Sequence, residues 1–355
     1  MPSSASQDAA RPTVADRTEA ELIAVIASTL PPPPSWLTVG IGDDAAVVEP
    51  ERNRLDVVTV DTLIDGVHVD RRFTPPDAIG YRALAINLSD LAAMGAAPRY
   101  ALLSLALPPS MPCEDFEAMA HGLARCATQH RLHVVGGNLT QTPGPLVVDI
   151  TAVGTVKRRD VLTRGGARPG DEVYVSGAIG SAAAGLAWLR ETAAGSGPAS
   201  ALRYQGSDID ASVSRYFYPE PRVRLGLLLG RNRAATACVD LSDGLADGVK
   251  RIASASGVGI AIDADQVPMM AAVRSWFERT MGDAVRPAVA AGDDYELLFT
   301  VRPRLRNRLR AVARLCATTL TRIGTCTKDG AIVLRRTRGE VSSDEPMPPG
   351  FRHFS

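Results

Sequence analysis

The sequence predicts a mixed α/β protein of two α/β domains. Helical and strand signals alternate along the whole chain. Its 355 residues are enough for two domains of ordinary size, each with its own core. A turn at Ala167-Arg168-Pro169-Gly170-Asp171 restarts the alternation midway. These observations divide the chain into a flexible tail over residues 1–17, an N-terminal domain over 18–165 and a C-terminal domain over 166–355.

The elements follow in order. Thr18-Glu19-Ala20-Glu21 has capping-box spacing and opens a helix that Pro31–Pro34 stops. Strands are expected at 57–60 and 102–107, with a helix over 77–94 between them. Ile79, Ala83, Ile86 and Leu91 form the apolar face of that helix, and Asn87 and Asp90 share a face three residues apart. A helix over 114–130 leads to a strand over 132–135, then a strand over 146–156. The second half predicts a strand over 172–176, a helix over 180–192 and a loose stretch over 195–210. Beyond it come helices at 221–231, 244–256 and 268–280, strands at 236–241, 258–263, 295–301 and 319–325, and a final arginine-rich helix. No fixed-period repeat is visible.

Composition narrows the function. Thirty-nine basic residues balance thirty-nine acidic ones, with no basic stripe, so a nucleic-acid partner is not expected. Lys157, Lys250 and Lys328 are the only lysines, and none stands in a Gly-Lys-Ser/Thr arrangement, which excludes a P-loop. Phosphates must then be met by metal, arginine and backbone N–H groups. Five scattered cysteines read as reduced thiols rather than a disulfide frame or zinc site. No apolar run approaches a membrane span, and the first residues lack a basic-then-apolar leader. The expectation is a cytoplasmic protein with no membrane partner.

Acidic, glycine-flanked segments recur where apolar strands give way to turns or helices. They are Gly40-Ile41-Gly42-Asp43-Asp44, Val58-Thr59-Val60-Asp61-Thr62, Asn87-Leu88-Ser89-Asp90, Gly136-Gly137-Asn138, Asp240-Leu241-Ser242-Asp243-Gly244 and Gly292-Asp293-Asp294-Tyr295-Glu296. Each alone has an ordinary reading as a turn, a helix cap or a solvated strand entrance. Gathered together they would repel one another, and hard cations such as Mg²⁺, bound by carboxylates and substrate phosphates, resolve that repulsion. Asp61 is expected to close its strand and point into a ligand crevice, with His68 seven residues on. Asp90 stands in an apolar helix, where an unpaired carboxylate is costly; its ordinary reading is a bond to Asn87. Gly136-Gly137 reads as a turn that lets backbone approach a ligand. Ser242 or Asp243 can cap the next helix, whose free N–H groups suit an anion. Arg164 is a candidate phosphate clamp.

Taken in order, these strings resemble the thiamine-monophosphate kinase family, part of the ATP-binding superfamily that includes aminoimidazole ribonucleotide synthetase and selenophosphate synthetase. The resemblance runs through Gly40–Asp44, Asp61–His68, Asn87–Ala96, Arg164–Asp171, Asp240–Leu245 and Asp294–Thr300 to Gly350–Phe354. It implies the aminoimidazole ribonucleotide synthetase-like fold, with a homodimer formed by the N-terminal domains. It implies direct phosphoryl transfer from ATP to thiamine monophosphate, with no covalent nucleophile or dedicated base. By family position, Asp44, Thr59, Asp61, Asp90, Asp240 and Asp243 would hold several Mg²⁺ ions. Gly137, Arg164 and Ser242 would contact ATP, while His68, Asp293 and Phe351 would border the thiamine phosphate.

Three departures stand out. Asn138 replaces the family's Asp, keeping an oxygen ligand for metal but losing a charge. Val60 replaces a hydroxyl residue, and Ala291 and Asp293 replace Gly and Glu. A sibling ATP-dependent enzyme, or a silent nucleotide-binding homologue, is the alternative reading.

Overall fold

The computed structural model describes residues 11–196, 208–338 and 341–350. Thr18 accepts from the Glu21 amide while Glu21 bonds back to the Thr18 amide at 2.8 Å, so α1 (Glu19–Thr29) opens on the expected box. The strands β1 (Leu37–Val39) and β2 (Val47–Val48) form a small antiparallel pair around the 40–46 loop. Then come β3 (Leu55–Ile64), α2 (Pro76–Ala93), β4 (Ala97–Leu107), α3 (Cys113–His130), β5 (His133–Gln141) and β6 (Val147–Val156). They build a four-stranded sheet in the order β3-β6-β4-β5. Only β4 and β5 run parallel, the pair joined through α3, as a parallel crossover requires.

The second half contributes β7 (Glu172–Ser176), α4 (Ser181–Ser196), α5 (Asp208–Phe217), α6 (Val223–Arg231), β8 (Ala237–Asp240), α7 (Leu245–Ser256) and β9 (Gly259–Asp263). It continues with α8 (Ala271–Met281), α9 (Val285–Ala290), β10 (Leu297–Val301), α10 (Arg306–Cys316), β11 (Leu320–Thr327), β12 (Ile332–Arg338) and β13 (Val341–Pro346). Its seven strands take the order β13-β12-β9-β11-β7-β10-β8.

The helix α2 occupies the centre. Fifteen of its eighteen residues are buried, because it is covered on several sides. It meets α3 so closely that a Cβ on Gly80 would lie 1.9 Å from the Met119 carbonyl oxygen, and one on Gly122 1.8 Å from that of Asp77. On another side, a Cβ on Gly226 of α6 would lie 2.0 Å from the Ala92 carbonyl oxygen. One continuous core therefore joins α2 to residues of both sheets, among them Leu103, Ile150, Leu297 and Phe299.

Several expectations change. Residues 11–17, assigned to a loose tail, are mostly exposed but anchored at one point: Val14 is buried, and its amide donates to the Met111 carbonyl at 2.9 Å. The strand expected to end at Val135 runs on to Gln141, so Gly136-Gly137 lies inside β5 rather than in a turn. Gly137 serves the sheet itself, since a Cβ there would sit 1.8 Å from the Leu103 carbonyl oxygen. Likewise, Asp61 does not close its strand; β3 continues to Ile64. Part of the 195–210 stretch is helical, as α5 starts at Asp208.

Candidate active site

Alternation along β3 sorts its side chains. Thr59 and Asp61 point to the face covered by α2, while Val58 and Val60 point away. From α2, Asp90 reaches that covered face and accepts a hydrogen bond from the Thr59 hydroxyl at 2.5 Å. Asn87 does not bind Asp90; its amide nitrogen donates to the Ala83 carbonyl, leaving its buried Oδ1 without a partner among the described residues. Ser89, next to Asp90, donates to Asp240 at 3.0 Å. Asp240 is the last residue of β8 in the other sheet. Two adjacent residues of one helix thus tie a hydroxyl of one sheet and a carboxylate of the other to one place.

The electrostatics confirm the gathering. Burial pushes the Asp61 carboxyl up to about 7, and the charges of Asp90, Asp240, Asp243 and Asp149 push the same way. Asp90 and Asp240 are raised too, chiefly by burial. The Thr59 and Ser89 hydroxyls and the Arg164 guanidinium oppose the rise. Arg164 is therefore within electrostatic reach of the acidic set, and its segment is anchored where the Cys238 amide donates to the Thr163 carbonyl at 2.8 Å.

The N-cap position of α7 falls on Gly244 rather than on Ser242 or Asp243. Gly244 stands at the cap with φ 94° and no side-chain bond, and a Cβ there would meet the Ala291 carbonyl oxygen at 2.4 Å. The N-cap residue thus gives the first amides of α7 no side-chain bond, and a helix start of this kind suits an anion. Asp243 instead takes Arg251 at 2.6 Å, a residue the sequence reading passed over. Ser242 holds the neighbouring loop through its carbonyl, which accepts from the Asp293 amide at 2.8 Å.

Asp293 belongs to a different arrangement. Arg82, only 1% exposed on α2, holds the Asp293 carboxylate at 2.6 Å and donates to the Tyr216 carbonyl at 2.6 Å. The Tyr295 hydroxyl donates to the same carboxylate at 3.2 Å. Both Asp293 and Tyr295 sit at positive φ, 72° and 50°, so this pinning fixes a strained loop. The rest of the segment is no solvated strand entrance. Asp294 is buried, accepts from the Gly180 amide at 2.8 Å, and is pushed up to about 8 by desolvation. Glu296, also buried, takes Arg222 through two bonds and the Ser176 hydroxyl. His68 lies in the turn after β3, with its Nδ1 accepting from the Ile64 amide at 3.1 Å.

Asp44, Gly137 and Asn138 line a cavity of about 1120 Å³ between α1, the 40–46 loop and the four-stranded sheet. Strand pairing puts Asn138 on the same sheet face as Ser104, Asp149 and Thr62, opposite to Thr59 and Asp61. Asp44 and Asn138 are thus not brought to the other carboxylates, though Asp149 links the regions by its charge on Asp61. Phe351 lies outside the described residues. Gly350 reaches the site: a Cβ there would lie 3.0 Å from the Asp243 carbonyl oxygen and from Asp247 Cβ.

Among the described residues no three carboxylate, imidazole or thiol side chains form a ready-made metal cage. The donors that do gather, Thr59, Asp61, Asp90, Asp240 and Asp243, are all hard oxygens, the chemistry that suits Mg²⁺. Mg²⁺ also keeps several waters and uses substrate phosphates, so a closed protein cage is not needed.

Residues 42–156 match the AIR synthase related protein N-terminal domain, and residues 168–336 its C-terminal domain. Fold and site thus define a two-domain protein of the AIR synthase related class. The thiamine-monophosphate kinase of Escherichia coli (strain K12) is 37% identical over 295 residues, covering 82% of this chain and 85% of its own. The solved thiamine-monophosphate kinase of Stenotrophomonas maltophilia K279a superposes with a TM-score of 0.77 at 36% identity, covering 89% of this chain and 94% of its own. A further structure, AaThiL complexed with AMPPCP and TMP, has a TM-score of 0.72 at 29% identity, covering 95% and 97%. The chain belongs to the thiamine-monophosphate kinase family.

Proposed function

We propose that this chain transfers a phosphoryl group from ATP to thiamine monophosphate, giving thiamine diphosphate. The observation that carries the reading is the set Asp61, Asp90 and Asp240, drawn from two sheets and the helix between them. Their protonation is pushed up by burial and mutual repulsion, and a site with that cost is suited to cations that remove it. The family relatives, and the AMPPCP and TMP held by one of them, support the same substrates here.

Thr59, Asp61, Asp90, Asp240 and Asp243 would hold Mg²⁺, which supplies charge neutralisation where two phosphorylated anions must meet. Asp44 and Asn138, which line the cavity on the other sheet face, would hold a further ion there rather than join this set. Arg164 and the first amides of α7 beside Ser242 would bind ATP oxygens, with Gly137 in β5. His68, Asp293 and Phe351 would border the thiamine phosphate. No general base is required, because a phosphate-monoester oxygen is already ionised near neutral pH. The division at 165/166, a cytoplasmic location and a homodimer through the four-stranded sheet belong to the same proposal.

The test is to incubate the protein with Mg·ATP and thiamine monophosphate and to follow thiamine diphosphate as its fluorescent thiochrome derivative. Wild-type turnover that falls at least about a hundredfold in Asp90→Asn and Asp240→Asn, with both variants still folded, is the expected result. Tight Mg·ATP binding without product would sink the kinase reading and leave a silent homologue.

A further inference from the structure

The arginine-rich C-terminal helix, which the proposed reaction does not use, borders a second cavity of about 1000 Å³. Five arginines line it: Arg168 before β7, Arg233 after α6, and Arg302, Arg304 and Arg308 between β10 and α10. No acidic and no aromatic side chain lines it. Acids and bases are equal in number in this chain, and arginines elsewhere find carboxylates, as Arg222 does with Glu296 and Arg306 with Glu172. None of these five makes an ion pair among the described residues. The adjacent carboxylate, Asp171, is buried and committed to the Thr236 hydroxyl at 2.8 Å and the Arg168 amide at 3.1 Å.

Two details mark the cavity as more than a solvated arginine patch. The Arg302 Nε is buried and has no hydrogen-bond partner, which is costly for a cationic donor unless a ligand satisfies it. Arg233 has φ 48° at the position past a helix end that favours glycine. Its backbone carbonyl accepts from Arg308 at 3.4 Å, which fixes that arginine at the cavity edge. A cation near a helix C-terminus is favourable by itself, but that explains one arginine and not five.

The principal site lies elsewhere. Thr236, which lines the cavity, precedes β8, and Asp240 ends it. At about 3.3 Å per residue the two sites are roughly 13 Å apart along one strand.

We propose that this arginine-lined cavity is a second anion site, which takes the diphosphate group of a small molecule. Guanidinium forks suit phosphate oxygens, and a lining without aromatic rings offers a nucleobase nothing to stack on. The site does not depend on the kinase reading.

Isothermal titration with inorganic pyrophosphate, in EDTA so that metal-dependent binding at the carboxylates is suppressed, tests it. The expected result is one equivalent bound per chain. Binding should weaken at least about tenfold in the Arg304→Ser/Arg308→Ser double variant and persist in Arg164→Ala. The replaced arginines are exposed, and an unchanged thermal midpoint confirms that the double variant is folded. ADP that competes with pyrophosphate would support a diphosphate ester as occupant, and failure to compete a free diphosphate. Absence of pyrophosphate binding by wild type would overturn the site. So would loss of binding in Arg164→Ala with retention in the double variant, which would place the anion among the carboxylates.

Discussion

Arg82 is enclosed by Asp293, Tyr216 and Tyr295, with its guanidinium carbon 4.8 Å from the Tyr216 ring centroid and 5.6 Å from that of Tyr295. Replacing it with Met would keep the volume and strand the Asp293 carboxylate. The Asp293 side chain keeps 31% exposure, so stranding it costs less than the roughly 3–5 kcal/mol of a fully buried pair, and Arg82→Met should lower the urea midpoint by on the order of 2 kcal/mol of stability. An unchanged midpoint would mean that the strained 293–295 loop does not depend on Arg82. Asp294 gives a pH-dependent case. Burial raises its folded pKa to about 8, above the ordinary 3.8, so its contribution to stability is fully present below the unfolded value and lost as pH rises through about 8. Between pH 5.5 and 8.5 wild type should therefore lose more stability than Asp294→Asn, by on the order of 2 kcal/mol, measured as unfolding free energy at each pH. A parallel loss in both proteins would assign the slope to other groups. At this scale Asp61, Asp90 and Asp240 were legible, because acids beside apolar segments are costly without a purpose. Arg82 was legible in principle as a charge inside the apolar run Ala78–Ala93, but its partner, 211 residues on, was not.

The helix α2 shows how an element does what its residues alone do not. It carries Asp90 to Thr59 and Ser89 to Asp240, and it can lie that deep only because glycines let other helices approach. Gly122→Ala places a methyl group 1.8 Å from the Asp77 carbonyl oxygen, a distance no side-chain adjustment relieves. The α2–α3 contact must then separate, at a cost of about 3 kcal/mol or more, and the thermal midpoint should fall by several degrees. A variant as stable as wild type would show that this helix pair can slide apart freely. The sequence announced α2 through its apolar face and α1 through its capping box. It did not announce that β5 runs through Gly136-Gly137, since a glycine pair is ordinary turn chemistry and only the closeness of Leu103 explains it. The early end expected for β3 at Val60 has the same origin: acidic and hydroxyl residues read as a strand's end, whereas here Asp61 is a strand position facing α2.

At the scale of the whole molecule the two sheets meet across α2, and the site lies on that seam. The alternation of elements predicted two α/β domains, but not which carboxylates would converge, because convergence depends on pairing between distant strands. The outer face of the four-stranded sheet presents the remaining question. Its inner face is closed by α2, whereas Val58 and Val60 are 63% and 59% exposed on the outer face, with Leu102 at 42% beside them. Strand pairing puts all three on one side of the sheet, and an exposed apolar cluster on a sheet face is a surface for another protein chain. The proposed homodimer would cover it. A Val58→Glu/Val60→Glu variant puts two carboxylates into that contact while leaving the buried face of β3 untouched, so the chain should still fold. Light scattering should then report twice the chain mass for wild type and the single-chain mass for the variant. If both proteins are monomers, or both dimers, the association does not use this face.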